Sequence, residues 1–372
     1  MEEAKWKIPL YKIYTDDEDV SLITKIIKRG NKWALGPEIE EFENELKNYV
    51  GVDYCLTLNS GTSALHATYL AYDFGHDDDI ILPSFTFIAT ANSVLFINAK
   101  PNFADIENIT FGLDPQSIKS KINKKTKAIV PVDVGGTSCD IIKIKEIAKE
   151  NNLVLIEDAA ESLGATINNQ KVGSISDSSI FSFCGNKVLT TGEGGAVLTN
   201  DLDLYRQVFL MRKHGIDRRE EMFNEQDRVG SWIYDMETLG FNYRITDFQA
   251  ALGLSQLKKL DRSKARRREI VSYYNEHFSG IEELILPYEN ENVDSNFHLY
   301  TLQVNKNSRF DRYDLFTHLQ NLNYAPMVLY IPIHLLSYYR QRYGYKRGDF
   351  PVSEGYYDRS LAIPLYPSLT DA

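Results

Sequence analysis

The sequence predicts an α/β protein: a mostly parallel sheet between helices, followed by a smaller α+β unit. Between Tyr54 and Thr199, short β-branched runs alternate with amphipathic helical stretches. The runs are continuously apolar rather than alternating, the pattern of strands covered on both faces. Beyond about Arg266 the pattern changes to long helices separated by two strands.

A helix is expected over Pro37–Tyr49, with Ile39, Phe42 and Leu46 at helical spacing and Gly51 as its stop. Tyr54–Leu58 reads as a strand, then Asn59 to Thr62 turn into a helix near Ser63–Phe74. Strands follow at Ile80–Leu82, Pro101–Asp105, Lys127–Val134, Leu153–Glu157, Ser179–Phe183 and Gly195–Thr199. Helices are expected between them near Ala89–Ile97 and Ile141–Asn151, and after them over Leu202–Lys213 and Ile245–Leu260. The second unit reads as a long helix, a strand His298–Val304, a helix Asp311–Leu322 and a strand Ala325–Tyr330. No repeat, low-complexity tract or linker marks a border, so the division is drawn at residues 1–265 and 266–372 from the change of pattern alone.

Composition fits this reading. The 372 residues are 43% hydrophobic and 25% charged, values of a globular chain with a sizeable core. With 41 Lys and Arg against 52 Asp and Glu, the net charge of −11 argues against a nucleic-acid or anionic-membrane binder. The basic cluster Lys264 to Arg268 lies in a helical pattern and reads as a solvated face. No window approaches the roughly 18 apolar residues of a membrane span, and Met1 to Trp6 lack the layout of a signal peptide. The cysteines Cys55, Cys139 and Cys184 are odd in number and widely spaced, so neither a disulfide scaffold nor a cysteine metal site is expected. A reducing, cytoplasmic setting is the expectation.

In parallel sheets the chemistry collects at the carboxyl ends of strands. Ser60-Gly61-Thr62-Ser63-Ala64 follows a strand and opens a helix, where N–H groups, hydroxyls and the helix dipole make a phosphate cradle. Alone it reads rather as a plain turn with Ser63 as the N-cap. Asp158 ends a buried strand; it can pair with a protonated ring nitrogen or simply cap a helix, and no histidine nearby in sequence suggests a metal. Lys187 follows an apolar strand through Cys184-Gly185-Asn186 and precedes Thr190-Thr191-Gly192-Glu193-Gly194-Gly195. Most lysines are solvated and structural. One at a strand end, partly desolvated among glycines, can lose its proton and form a Schiff base. Ser182 could offer a hydroxyl to a phosphate, and Phe85 or Phe87 could cover a ring. A phosphate cradle, a carboxylate for a pyridinium nitrogen and an imine-forming lysine are together what pyridoxal 5′-phosphate (PLP) chemistry needs.

The chain resembles the DegT/StrS-type nucleotide-sugar aminotransferases, a branch of the fold-type I PLP enzymes. The resemblance rests on Gly36 to Glu43, Asn59 to Leu65, Pro83 to Asn92, Glu157 to Glu161, Ser182 to Lys187, Thr190 to Gly195, Gly240-Phe241-Asn242-Tyr243-Arg244 and Pro332-Ile333-His334. It implies an aspartate-aminotransferase-like fold with a seven-stranded sheet. It further implies that Lys187 carries the cofactor, Asp158 pairs with its ring nitrogen, and Thr62, Ser63 and Ser182 bind its phosphate in the turn of Gly61. Phe87 stands where a ring-stacking residue is expected, and Glu161 is placed among the cofactor contacts. Asn242 matches a residue that reaches the phosphate from a neighbouring subunit, which implies a homodimer with shared sites. His214, Arg244, Tyr330 and His334 are candidates for donor or sugar contacts, with a packing role the alternative for Tyr330 and His334.

The implied reaction moves an amino group from L-glutamate to a keto carbon of a nucleotide-linked sugar, for surface-glycan or other aminosugar biosynthesis. Relatives often carry His or Gln where this chain has Glu161, and Glu161 leans towards enzymes of 4-keto-6-deoxy sugars, such as perosamine-type synthases, over 3-keto enzymes. Leu329 stands where a His often precedes the Tyr, and relatives usually continue past Ser368 to Ala372 with a short helix. A sugar dehydratase of the same fold would carry His in place of Lys187, and a non-catalytic regulator would be expected to lose Lys187 or Asp158. A nucleotide-binding module using the Ser60 turn alone would leave Lys187 unexplained.

Overall fold

The computed structural model describes residues 6–217 and 232–371. Seven strands form the central sheet: β1 (Tyr54–Leu58), β2 (Asp79–Pro83), β3 (Lys100–Ala104), β4 (Thr126–Ile129), β5 (Val154–Asp158), β6 (Ser178–Ser182) and β7 (Gly195–Thr199). Their order is β1-β7-β6-β5-β4-β2-β3. All neighbours pair in parallel except β7, which runs antiparallel to both β1 and β6. The six co-directional strands therefore deliver their carboxyl ends to one edge.

Alternation of side chains explains why both faces need cover. Ile80 and Leu82 of β2 join one core with Leu65 of the helix Gly61–Ala71, Val94 of Ile88–Phe96 and Val208 of Leu202–Arg212. Ile81 between them packs on the other side with Ile144 and Ile147 of the helix Ile141–Glu150. Further along that side, Phe181 and Leu198 meet Phe42 and Leu46 of the helix Pro37–Val50 and Leu254 of Asp247–Lys258. Gly51 terminates the helix Pro37–Val50 in the left-handed conformation, as expected.

A separate three-stranded sheet holds Leu284–Ile285, Tyr300–Val304 and Ser360–Ile363 in antiparallel order, and two smaller ones pair Ile216–Asp217 with Asp235–Met236 and join Val293–Asp294, Thr166–Ile167 and Gln170–Lys171. Two expectations are corrected here. Ala325–Tyr330 is not a strand; Pro326 lacks an N–H, and only Met327 bridges to Ala362. The strand expected to reach Val134 stops at Ile129, two residues before Pro131.

The border drawn at 265/266 falls inside one continuous helix, Leu260–Phe278. The two ends of the described chain are also stitched together. Lys7 N–H donates to Asn323 O at 2.8 Å, Ala325 N–H to Ile8 O at 3.0 Å, and Leu365 N–H to Leu10 O at 3.2 Å. Ile333, Tyr339 and Phe350 belong to the core that holds Ile80 and Leu82. Among the described residues no helix is long and apolar enough to cross a membrane.

Candidate active site

A cavity of about 410 Å³ opens at the carboxyl edge of the sheet. Its walls include Gly61, Thr62, Phe87, Thr90, Asp158, Glu161, Ser182, Lys187 and Tyr330. All but Tyr330 stand at a strand's carboxyl end or in the segment after it, so the direction of the sheet assembles the site.

The floor is the turn after β1. Ser60 caps the helix Gly61–Ala71, its Oγ accepting from Ser63 N–H at 3.0 Å, and the leading N–H groups of this helix have no intrahelical partner. Gly61 lies against Ser182: a Cβ there would stand 3.0 Å from Ser182 Cβ. Gly195 is tighter still, for a Cβ would meet Ser60 O at 2.5 Å and Gly61 N at 2.6 Å. The strand β7 can pass this close to the turn only without a side chain. Gly195→Ala is therefore expected to displace the turn, weakening retention of a phosphate-bearing cofactor about tenfold or more, a cost of 1.4 kcal/mol upwards. Cofactor titration by absorbance or fluorescence checks this, with the folded state monitored by circular dichroism.

Asp158 ends β5 and is buried. Its Oδ2 accepts from Thr90 Oγ1 at 2.7 Å and its Oδ1 from Ala160 N–H at 3.3 Å. Burial pushes the carboxyl above its ordinary value, against the lowering influence of Thr90, Ala160 N–H and the Lys187 charge. A carboxylate so placed is suited to a cationic partner in the cavity.

Lys187 sits in the loop between β6 and β7. Phe183 and Leu189, both fully buried, anchor that loop on either side of it. Phe183 N–H donates to Gly194 O at 2.9 Å and Thr191 N–H to Phe183 O at 2.9 Å, closing its base. Lys187 Nζ donates to Glu161 Oε1 at 3.3 Å. That oxygen also accepts from Tyr330 Oη at 2.7 Å, while Oε2 accepts from Gly135 N–H at 2.7 Å. Burial would raise the Glu161 pKa, but Lys187, His298, Tyr330 and Gly135 N–H outweigh it and bring it down to about 2. The carboxyl is thus ionised throughout the physiological range. Phe87 is 53% exposed and its ring lies 5.7 Å from that of Tyr330, on the rim of the cavity.

The expected residues are not all brought together. Ser63 lies outside the cavity wall: as the third helical residue its Oγ turns back to Ser60 Oγ at 2.8 Å, and Ser60 takes its place in the lining. Ser60, not Ser63, is the N-cap. His334 is fully buried, with Nε2 2.9 Å from Glu354 Oε1, and has no surface to offer a sugar; it is a packing residue. Phe85 is likewise in a core, against Tyr356. His214 and Asn242 are exposed and Arg244 half-buried, all outside the cavity wall of the single chain. Asn242 is nevertheless close to the cradle, its O accepting from Asn59 Nδ2 at 3.4 Å. The loop Lys213–Trp232, whose length and place after a helix make it a candidate for specificity contacts, lies mostly outside the described residues. Sequence reading places Ser60 in the cradle but makes Ser63 the cap, and it does not single out Thr90 or Gly135, which no local signal marks.

The DegT/DnrJ/EryC1/StrS aminotransferase family matches residues 14–372. The chain belongs to this family. It is 38% identical over 357 residues to the spore coat polysaccharide biosynthesis protein SpsC of Bacillus subtilis, covering 95% of this chain and 91% of SpsC. It is 35% identical over 340 residues to the GDP-perosamine synthase of Caulobacter vibrioides, covering 91% and 88%. The putative sugar aminotransferase Spr1654 from Streptococcus pneumoniae, solved in its PMP-form, superposes with a TM-score of 0.92 at 27% identity, covering 98% and 96%. This DegT/DnrJ-family chain is thus a sugar aminotransferase with the fold of the PLP aminotransferases, and its family implies PLP. The residues present fit that group: a glycine-lined turn for a phosphate, a buried carboxylate, and a lysine facing the same cavity.

Proposed function

We propose that this sugar aminotransferase takes its amino group from L-glutamate and passes it to the C4 keto carbon of a nucleotide-linked 6-deoxy sugar. The observation that carries the choice of carbon is Glu161, whose carboxylate stands 3.3 Å from Lys187 Nζ; a carboxylate at this position is the feature that resembles the 4-keto enzymes. The name of the SpsC relative supports a product that enters a surface polysaccharide.

Gly61, Thr62 and Ser182 bind the cofactor's phosphate, with Ser60 in the place expected of Ser63. Asp158, fixed by Thr90, holds the proton of the ring nitrogen, and Phe87 covers one ring face. When bound, PLP supplies an aldehyde that carries the amino group and a ring that accepts electrons. Lys187 Nζ would hold that aldehyde and, when freed by the donor, would serve as the base for the proton of the donor's α-carbon. Asn242 completes the phosphate site of a second copy, so the working unit is a homodimer with two shared sites.

The first test is the absorption spectrum of the loaded enzyme. L-glutamate is expected to bleach the visible band, and a 4-keto nucleotide sugar to restore it. Bleaching by another amino acid alone would replace the donor, and restoration only by a 3-keto sugar would move the reacting carbon. For the shared site, Lys187→Ala and Asn242→Ala subunits are mixed. Mixed dimers regain activity above either parent if Asn242 acts on its neighbour; no recovery removes Asn242 from that role.

A further inference from the structure

Behind the Lys187–Glu161 pair stands a turn from the far end of the chain, Ser295-Asn296-Phe297-His298. Asn296 Nδ2 donates to Glu161 O and to Leu163 O, both at 2.9 Å, and its Oδ1 accepts from His298 N–H at 2.9 Å. Ser295 Oγ donates to Gly136 O at 2.8 Å. Gly136, at φ 93°, has no room for a Cβ because Asn296 Oδ1 fills the space. Arg267, buried without a carboxylate partner, spends its Nη1 on Phe297 O at 3.1 Å and Leu365 O at 3.0 Å. One turn is thus tied to the backbone of Glu161 on one side and to the helix Leu260–Phe278 on the other.

The His298 ring is buried at the end of this clamp, its Nε2 3.8 Å from Glu161 Oε1 and its Nδ1 without a hydrogen-bond partner. Burial, with the Lys187 and Arg267 charges, outweighs Glu161 and brings the His298 pKa down to about 3, so the imidazole is neutral. A neutral ring carries one proton. On Nδ1 it would be a buried donor with nothing to receive it; on Nε2 it points to a carboxylate.

We propose that His298, as the Nε2–H tautomer, is a positioning residue that holds the Glu161 carboxylate turned towards Lys187, so that the C-terminal part of the chain sets the geometry of the reacting lysine. This rests on the PLP aminotransferase reading. The separation of 3.8 Å exceeds a hydrogen bond, and tightening with cofactor in place is the ordinary behaviour of such sites. The charged or titratable groups facing Glu161 are Lys187, His298 and Tyr330, with Asp158 and Tyr356 beyond; those facing His298 are Glu161, Lys187 and Arg267.

The test uses the loaded full-length enzyme and the variants His298→Phe, His298→Gln and Glu161→Gln, alone and combined. His298→Phe is expected to lower kcat about 10- to 100-fold, as small misplacements near reacting groups do, with KM for the donor little changed. The pH at which the visible band changes should move by about one unit, in the direction that Glu161→Gln moves it. His298→Gln, which keeps a donor, should recover most of both effects. In the Glu161→Gln background, His298→Phe should add nothing, since it acts through that carboxylate. An unmoved pH midpoint, or a shift that persists in full without the Glu161 carboxylate, overturns the proposal. Should His298→Phe fail to fold, His298→Asn, too short to reach Glu161, carries the same two outcomes. A wild-type enzyme with no visible band would instead be the failure of the aminotransferase reading.

Discussion

Replacing Lys187 by alanine removes turnover while leaving the fold in place. Among the described residues that line the cavity, the Lys187 amine is the group that would both retain the aldehyde and move the proton, so kcat is expected to fall by about 10³-fold or more. The loop survives because its anchors are Phe183, Leu189 and the Phe183–Gly194 and Thr191–Phe183 hydrogen bonds, none of which involves the Lys187 side chain. Stability drops by about 1–3 kcal/mol, because Glu161 loses a charged partner but keeps Tyr330 and Gly135 N–H. This loss has a pH signature. The Glu161 pKa is depressed from 4.5 to about 2, so its contribution is present above 4.5 and vanishes as the pH falls through about 2. Denaturant melts of the two proteins should therefore differ at neutral pH and converge in acid. A variant that turns over at the native rate would remove Lys187 from the chemistry.

Asp158→Asn is the second large effect. On the proposed reading, the ring nitrogen of the cofactor would then have no carboxylate to hold its proton, and the ring would accept electrons poorly. A fall of about 10²-fold or more in kcat is expected, the scale for removing one preorganised electrostatic partner from a buried site. The fold should gain if anything, since burial works against the ionised form of Asp158 and an amide carries no charge. Thr90 Oγ1 can still donate to the amide oxygen. The two measurements are single-turnover kinetics and thermal melting; a stable variant with native kcat would show that Asp158 serves only the turn after β5, where no helix begins and its Oδ1 accepts from Ala160 N–H.

The sheet was legible because its strands are continuous apolar runs: Tyr54–Leu58 and Gly195–Thr199 are found with the expected bounds. Lys187, Asp158, Thr62, Gly61 and Ser182 meet in one cavity because each follows a strand's carboxyl end, a position visible in sequence. What escaped depends on contacts distant in the chain. Nothing local distinguishes Thr90 as the partner of Asp158, 68 residues away. His298 reads as the start of a strand until Glu161 is found beside it. His334 and Tyr330 are four residues apart, and packing is the stronger expectation for Tyr330, yet His334 is the one enclosed by Glu354 and a core while Tyr330 reaches Glu161. The helix Asp17–Arg29, with a capping box at Asp16, went unread although its signal was local.

The pairing of the chain's two ends bears on how the protein can be taken apart. A piece spanning residues 1–265 would lose Ile333, Tyr339 and Phe350 from the core beneath β2, baring Leu82 and Phe103 to water. It would also lose Tyr330 and the Asn296 clamp, and with them the cage around Glu161. The complementary piece would have no strand or arm to replace Ile8 and Leu10. Chimaeras meant to exchange sugar specificity between relatives therefore need to swap loops within an intact chain; cutting at the middle of the helix Leu260–Phe278 would leave two halves that each lack a surface the other was shaped to cover.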